Sequence, residues 1–485
     1  KRRSSSTSYQ PRRSPAMEGR TLPTDGLQGP TVSEGVVLDR HVRYRLPAGA
    51  SVLDPLKVPF QNDERTCLRT TEISKMKGQG LVCAQNAKLI AVNLRYIAYA
   101  MKEGFVRVIN QNGKDLFKLH NTTRAVITDM AINGIGNSME NQGTTLLCVD
   151  EAAHVSVFVL EAYGAPSNSE ERTKKSNSEE RTKKVDLVFP RSMDPPQRIL
   201  GHPADNQSFV TMHANHLGVW NLLSMEQDDP KDWNQATGFF TYEIDEELMA
   251  NTSQQFVLPG ASFGPTSPRL RDAAVSADAA CLVALAADAV FVWRLGGPSE
   301  RGTPTLLQHL SLAPAIASVS GLHSVRILGA SPDEAEVLVI GSATASDLFA
   351  YELLPSSPTP VGPLLQSLSL VSSSGDDLIG CIDANSVSRD SLAIAFRNKT
   401  LVLVLPLALG WSGSPGLPFP YAQRFVTEEP AHQLSTMTGK SFQTAGQTLF
   451  MYRANNFTRE KDSLLGCNIV VSELEDPALL AREAP

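Results

Sequence analysis

Seven short apolar runs end in similar phrases, and their spacing constrains the fold more than any other feature of the chain. They read RVIN (Arg107–Asn110), VFVL (Val157–Leu160), VWNL (Val219–Leu222), VWRL (Val292–Leu295), AYEL (Ala350–Leu353), VLPL (Val404–Leu407) and VSEL (Val471–Leu474). Measured between Ile109, Phe158, Trp220, Trp293, Tyr351, Leu405 and Ser472, the intervals are 49, 62, 73, 58, 54 and 67 residues. The second interval contains SNSEERTKK twice in tandem, at Ser167–Lys175 and Ser176–Lys184, and shrinks to 44 without those 18 residues. A strand-rich unit recurring every 40–50 residues or so, with room for loop insertions, is the mark of a β-propeller. The expected fold is therefore all-β: a seven-bladed WD-type propeller with blade-closing strands near those seven positions. A closed ring of repeats accommodates 485 residues where one ordinary core would not.

The chain divides accordingly. Residues 1–35 form a basic Ser/Pro/Arg-rich tail without hydrophobic periodicity, expected to be disordered. Residues 36–474 are the propeller and 475–485 a short tail. The run Val36–Leu46 is expected to complete the last blade and close the ring. Within the propeller, Ser167–Lys184 reads as a charged surface loop. Residues 224–248 read as an acidic insert, eight carboxylates against Lys231 alone. Glu103-Gly104 is expected to make a tight turn between two strands. The 33 glycines and 31 prolines suit many inter-strand turns. A chain beginning at Lys1 is expected to be a fragment.

Charge and cysteine usage bound the environment. The net charge of −7 is uneven, with +5 in residues 1–20 and −12 in the rest. An acidic body disfavours nucleic acid, leaving only weak RNA contact through the basic tail. The six cysteines lie at least 16 residues apart, most in apolar runs, which points to buried free thiols in a reducing compartment. Five Asn-x-Ser/Thr sequons, at Asn121, Asn206, Asn251, Asn398 and Asn456, carry little weight without a signal peptide. No run of about 18 apolar residues spans a bilayer.

Catalytic patterns are sparse. There is no GxSxG, no Walker phosphate loop and no GxGxxG after a strand, and Gly134-Ile135-Gly136 reads as a turn. His213 and His216, placed on one strand, would face opposite sides and share no metal. His120, Asp150 and Phe158 read as the hydrogen-bonded structural cluster of a WD repeat, not as a catalytic dyad, since no nucleophile accompanies them. Trp220, Trp293 and Tyr351 are third-strand aromatics of the core. No catalytic residue, metal or cofactor is expected, and the partner-binding residues are left open.

The segment IAVNLRYIAYAMKEGFVRVIN followed by TTRAVITDMAI (Ile90–Asn93, Tyr96–Tyr99, Gly104–Asn110, Val126–Ile132) resembles the N-terminal propeller of the enhancer-of-mRNA-decapping scaffold family, Varicose in plants. Val155–Leu160, HPADNQSFVTMHANHLGVWNL, SRDSLAIAFRNKTLVLVLPL and YAQRFVTEEPAHQLSTMTG continue the resemblance in order, from about residue 88 to 439. Departures are Leu119 for the family's Gly, Phe158 for its Trp, and the tandem duplication. The resemblance implies a non-catalytic scaffold of cytoplasmic mRNA decapping and processing bodies. Its partners would be decapping enzyme and decapping activator subunits, and self-association would reside in regions outside this chain. The alternatives are a WD scaffold of another pathway, such as trafficking or ubiquitin-ligase substrate recognition, and, in a third class, a propeller enzyme.

Overall fold

The computed structural model describes residues 36–469 except 39–40, 47–48, 59–67, 77–87, 94, 111–114, 134–143, 161–181, 191–192, 204–205, 226–231, 235–238, 260–268, 288, 296–303, 313–320, 330–334, 343–345, 372–378, 385–388, 398, 409–410, 412, 414–415, 427–432, 442–443 and 454–461. Ser472, both expected tails, Gly134–Gly136 and the duplication up to 181 lie outside those residues.

The described strands form seven sheets, each built on four strands that run consecutively outwards. Sheet 1 comprises Ile90–Val92, Tyr96–Ala100, Phe105–Asn110 and Asp115–His120. Sheet 2 comprises Ile127–Asn133, Thr144–Asp150, His154–Leu160 and Thr182–Val188. Sheet 3 comprises Arg198–Gly201, Ser208–Met212, His216–Asn221 and Ser253–Val257. Sheet 4 comprises Asp272–Val275, Cys281–Leu285, Ala289–Arg294 and Thr305–Ser311. Sheet 5 comprises Leu322–Leu328, Glu336–Ser342, Asp347–Leu353 and Val361–Leu370. Sheet 6 comprises Ile379–Ala384, Ser391–Phe396, Leu401–Pro406 and Tyr421–Val426. The seventh sheet, Gln433–Ser441, Thr444–Arg453, Asp462–Ile469 and Leu68–Met76, is described in its backbone alone. Against the seven blades expected, six are followed through their side chains.

Second strands such as Thr144–Asp150 and Glu336–Ser342 are buried at every residue, as strands sandwiched on both faces must be. Their Val, Ile and Leu side chains interlock between neighbouring sheets. One apolar cluster joins sheets 1 and 2, and others join 2 and 3, 3 and 4, 4 and 5, and 5 and 6. The reference residues fall on third strands, not on the closing ones. Phe158, Trp220, Trp293, Tyr351 and Leu405 all enter the cluster shared with the preceding sheet. Ile109 occupies the third strand of sheet 1. The Glu103-Gly104 turn is present, with both residues at positive φ. A Cβ on Gly104 would lie 2.7 Å from the Ala125 carbonyl oxygen, so that position admits glycine alone.

Three expectations about the additions are corrected. Val36–Leu46 does not close the ring. His41–Arg45 adds to the outer edge of sheet 6 through Tyr44 and Arg45, and Val36–Leu38 pairs outside it. Gly49–Leu53 runs parallel to Val361–Leu370 on the edge of sheet 5. The N-terminal strand that completes a four-stranded sheet is Leu68–Met76, against Asp462–Ile469. The acidic insert is not simply a loop. Phe239–Glu243 lies parallel to Thr182–Val188 on sheet 2, followed by a helix, Glu246–Thr252, capped by Asp245. Tyr242 and Ile244 in this segment are buried, and the Tyr242 hydroxyl donates to the Met225 carbonyl at 3.0 Å.

The end of the duplication is likewise strand, because Val185 and Leu187 need the interior face and draw the residues before them into the ladder. Lys184 lies opposite Phe158, its ammonium 5.5 Å from the ring centroid and 3.1 Å from Asp186. Removing one nine-residue copy leaves a Thr-Lys-Lys before Val185 and should leave the melting temperature nearly unchanged, because loop closure depends weakly on length. Removing both copies, Ser167–Lys184, deletes three ladder positions and should cost on the order of 2–4 kcal/mol in urea unfolding. Equal melting of the two deletions would show that the duplication's last residues do not support the blade.

Candidate functional site

The first strands converge on a central channel, and each of the first six sheets places one charged residue on or just before its first strand, Asp129 and Asp272 fully buried behind the channel wall. Lys88 precedes the first strand of sheet 1. Asp129, Arg198, Asp272, Arg326 and Asp383 follow from sheets 2 to 6. The signs alternate around the ring, and neighbours pair across the sheet boundaries. Lys88 contacts Asp383, and Arg198 contacts Asp272. The Arg198 Nε lies 3.6 Å from Asp129 Oδ2, and Arg326 Nη1 lies 2.6 Å from Asp272 Oδ2. Backbone donors complete the carboxylates: Ile199 N–H on Asp129 at 2.8 Å and Val325 N–H on Asp272 at 3.0 Å. Arg326 Nε donates to the Ile382 carbonyl at 3.1 Å. Burial pushes the Asp129 carboxyl up, and the Arg198 guanidinium and two backbone N–H groups oppose that rise. Sequence reasoning missed this ring. Its only trace is a lone charge in each apolar first-strand run, as in DAAV and HSVRIL.

The expected WD cluster is present in altered form. Asp150 ends its strand and caps the turn that follows, accepting from the backbone N–H of Ala152 at 2.9 Å and His154 at 3.0 Å. Its other oxygen accepts from Asn121 Nδ2 at 2.8 Å and from the Thr123 hydroxyl. Asn121 thus holds the place expected for His120, which is exposed with its ring edge-on to Phe105. Asn121 is 1% exposed, so its sequon is closed to glycan attachment. Phe158 packs in the core between sheets 1 and 2.

Sheet 3 carries a second chain. The Trp220 indole N–H donates to Thr211 Oγ1 at 2.9 Å, and Thr211 lies 3.0 Å from His213 Nε2. His213 Nδ1 lies 2.7 Å from the Asp194 carbonyl. A carbonyl only accepts, so Nδ1 carries the proton and Nε2 accepts from the Thr211 hydroxyl. His213 and His216 do not alternate along one strand. A two-residue turn folds them together, their rings stacked at 4.2 Å. Burial first, then the neighbouring His216, lowers the His213 imidazole to about 3. It is a neutral structural link. Among the described residues no group of three or more His, Cys, Asp and Glu is placed to hold a metal. The thiols of Cys148 and Cys281 are buried and unpaired, and no described helix is long and apolar enough to cross a membrane.

No protein-family profile matches this sequence, and no curated protein is significantly similar to it. In fold the chain is similar to the WD40 domain of Toxoplasma gondii coronin. The TM-score is 0.51 at 9% identity, covering 83% of this chain and 86% of that one. It is also similar to the β-propeller domain of Cps50 (Swd1) from Myceliophteria thermophila, with a TM-score of 0.49 at 9% identity, covering 82% of this chain and 99% of that one. The coronin likeness establishes the fold, a WD40-type β-propeller.

Two outcomes follow from these networks. Asp272→Asn strands two buried guanidinium groups and should destabilise by about 3–5 kcal/mol, read by urea unfolding. A loss below 1 kcal/mol would mean that the ring is not coupled through Asp272. The second outcome concerns acid. His213 at about 3 and His323 at about 4 stay neutral in the fold, while the unfolded chain takes up protons near 6.5. The unfolded state therefore binds more protons below 6.5, and stability falls as pH drops, by roughly 2 kcal/mol per imidazole at pH 5. Glu336, raised to about 7 by burial, works in the opposite direction over part of this range. The His213 share is thus read as the difference between parent and His213→Gln, whose stability should change less between pH 7 and 5. Parallel curves would remove His213 from the account.

Proposed function

We propose that this chain, a WD40-type propeller, is a non-catalytic interaction platform, and that its pathway is cytoplasmic mRNA decapping. A seven-bladed ring is part of this reading, and its support is the sheet built on Gln433–Ser441, which lies beside both Ile379–Ala384 and Ile90–Val92. The observation that carries the platform reading is the apolar outer edge of sheets 5 and 6. Val52 is 71% exposed, and the backbone bond from Val371 N–H to the Leu53 carbonyl sets the exposed Val371 beside it. Leu56 and Val426 continue the exposed edge, joined by the Arg424 contacts to the carbonyls of Leu56 and Val58. Apolar side chains gathered outside a closed core are the usual currency of protein contact. The polar clusters described above serve turns and blade junctions instead.

The pathway rests on residue resemblance. The phrases Ile90–Asn93, Tyr96–Tyr99 and Gly104–Asn110 coincide with the first three strands of one blade, and Val126–Ile132 with the first strand of the next. Decapping enzyme and decapping activator subunits are the partners proposed, in processing bodies. Contact with RNA would be weak and confined to the basic tail, because the body carries −12. Affinity capture of the full-length protein from cells should bring down both decapping components, and Val52→Glu with Val371→Glu should reduce that recovery several-fold without unfolding the ring. Vesicle-coat or ubiquitin-ligase subunits in their place would move the platform to another pathway. Undiminished recovery in the double variant would move the contact to another face.

A further inference from the structure

The channel holds a cavity of about 220 Å³, and its lining includes four cationic side chains besides His202. Lys88, Arg198 and Arg326 are each matched to a carboxylate of the charge ring. Arg389 is different. It lies in the turn between the first two strands of sheet 6, and its guanidinium lines the same cavity. Among the described residues no carboxylate lies within ion-pair distance of it. Its one side-chain hydrogen bond is Nη1 to the Val275 carbonyl, at 3.1 Å. A guanidinium has five N–H donors in a planar fork suited to a two-oxygen acceptor. One neutral carbonyl leaves most of that capacity unused.

Arg389 has φ 51°, a left-handed conformation that glycine or asparagine adopts more readily and that Ala279 shares in the corresponding turn of sheet 4. Its carbonyl accepts from Gly329 N–H at 2.9 Å, which ties the turn to the corresponding turn of sheet 5. Gly329 is itself at φ 130°, where a Cβ would press on Glu336. Three consecutive first-to-second-strand connections therefore meet here, with Asp278 and Arg389 in two of them and Glu336 opening the second strand that follows the other. Glu336 is 1% exposed. One carboxyl oxygen accepts from Ala277 N–H at 2.7 Å, and the other has no hydrogen-bond partner. Both Asp278 and Glu336 act on Arg389 through space.

We propose that Arg389 is the anchor of a carboxylate-binding subsite at the channel mouth, which takes one acidic side chain of a partner peptide. The cavity is smaller than the roughly 300–1,000 Å³ of sites for drug-sized molecules, so it suits a single inserted side chain. Its wall is mixed. Val275, Ile327 and Ala384 supply apolar contact for the methylene stem of a glutamate, and Arg389 meets the carboxylate fork. The flanking carboxylates of Glu336 and Asp278 lower the local positive charge. This keeps the subsite selective for a ligand that also gains contacts from the wall, over a free anion. The inference rests on the interaction-platform reading, but it concerns a face other than the outer apolar edge.

The test is calorimetric titration of the full chain with two probes: capped hexapeptides carrying one central glutamate among small apolar residues, and inorganic phosphate. The parent should bind the glutamate peptides. Affinity should fall at least tenfold in Arg389→Gln, fall less in Arg389→Lys, and fall for the matching glutamine peptides. Glu336→Gln should tighten glutamate-peptide binding at pH 8, where Glu336, raised to about 7, is mostly ionised and a neighbouring like charge is removed. That variant keeps the proposal testable if the Arg389 substitutions disturb the turn. Binding of phosphate but not of peptide would overturn the proposal in favour of a simple anion site. Peptide binding indifferent to Arg389→Gln, or no binding of either probe, would overturn it in favour of a guanidinium bridged to Glu336 by water. Capture of decapping components by a chain that binds no acidic peptide would retire the subsite and leave the platform standing.

Discussion

Charges buried at the centre of a ring have to be paired, and here each finds its partner on another sheet. Asp272 lies between Arg198 of the preceding sheet and Arg326 of the following one. Asp129 pairs with the Arg198 guanidinium and accepts from the Lys88 backbone N–H, while the Lys88 ammonium turns to Asp383. The apolar clusters between sheets supply most of the burial, but they are non-directional and tolerate sliding. Ion pairs with backbone donors on the same oxygens do not. They set the height at which each first strand meets the next, and with it the register of the three strands outside it. The arrangement is net neutral and self-contained, which is why a channel rich in charge does not by that fact become a site for a charged ligand.

The turns show the same economy of polar groups. Asp150 caps one hairpin and receives Asn121 from the preceding inter-sheet connection. Thr211 relays the Trp220 indole to His213 within one sheet, and the imidazole passes the chain to the Asp194 carbonyl. Each network ties a third-strand or second-strand residue to the segment that enters its sheet, so a blade is closed locally before it is packed. Asp186 does similar work on the fourth strand of sheet 2, accepting from Ser156 at 2.6 Å and pairing with Lys184.

What was legible in the sequence is what repeats at short range. The third-strand positions of Phe158, Trp220, Trp293 and Tyr351 follow from spacing, and Asp150 follows from its place before a turn. His120 and Asn121 were not separable, because two adjacent polar residues at a strand end give no sign of which one turns inward. His213 and His216 misled for a related reason: the two-residue turn between them interrupts the strand that their spacing suggested. Tyr242 and Ile244 were hidden among acidic neighbours whose average said solvent, although the two apolar side chains decide where the segment goes. The charge ring left only isolated signs in apolar runs, and its meaning appears when six distant segments are brought together. Arg389 belongs to the same class, since its lack of an ion-paired carboxylate among the described residues is a property of the assembled channel and not of its neighbours in sequence.

The three N-terminal additions to the sheets all reach across the chain: Tyr44 pairs with Ala422, Gly49 with Gln366 and Thr70 with Cys467. A ribosome adding roughly 5–20 residues per second delivers these strands tens of seconds before their partners exist. For that interval they are bare hydrogen-bonding edges, while sheets 1 to 4 can condense in order behind them from contacts near in sequence. Completion of sheets 5 and 6, and of the sheet that takes Leu68–Met76, thus waits until the partner strands near residues 366, 422 and 467 have been made. Newly made chains should lean on holding chaperones until those partners emerge, and a chain cut before residue 361 should leave the early strands as seeds for aggregation.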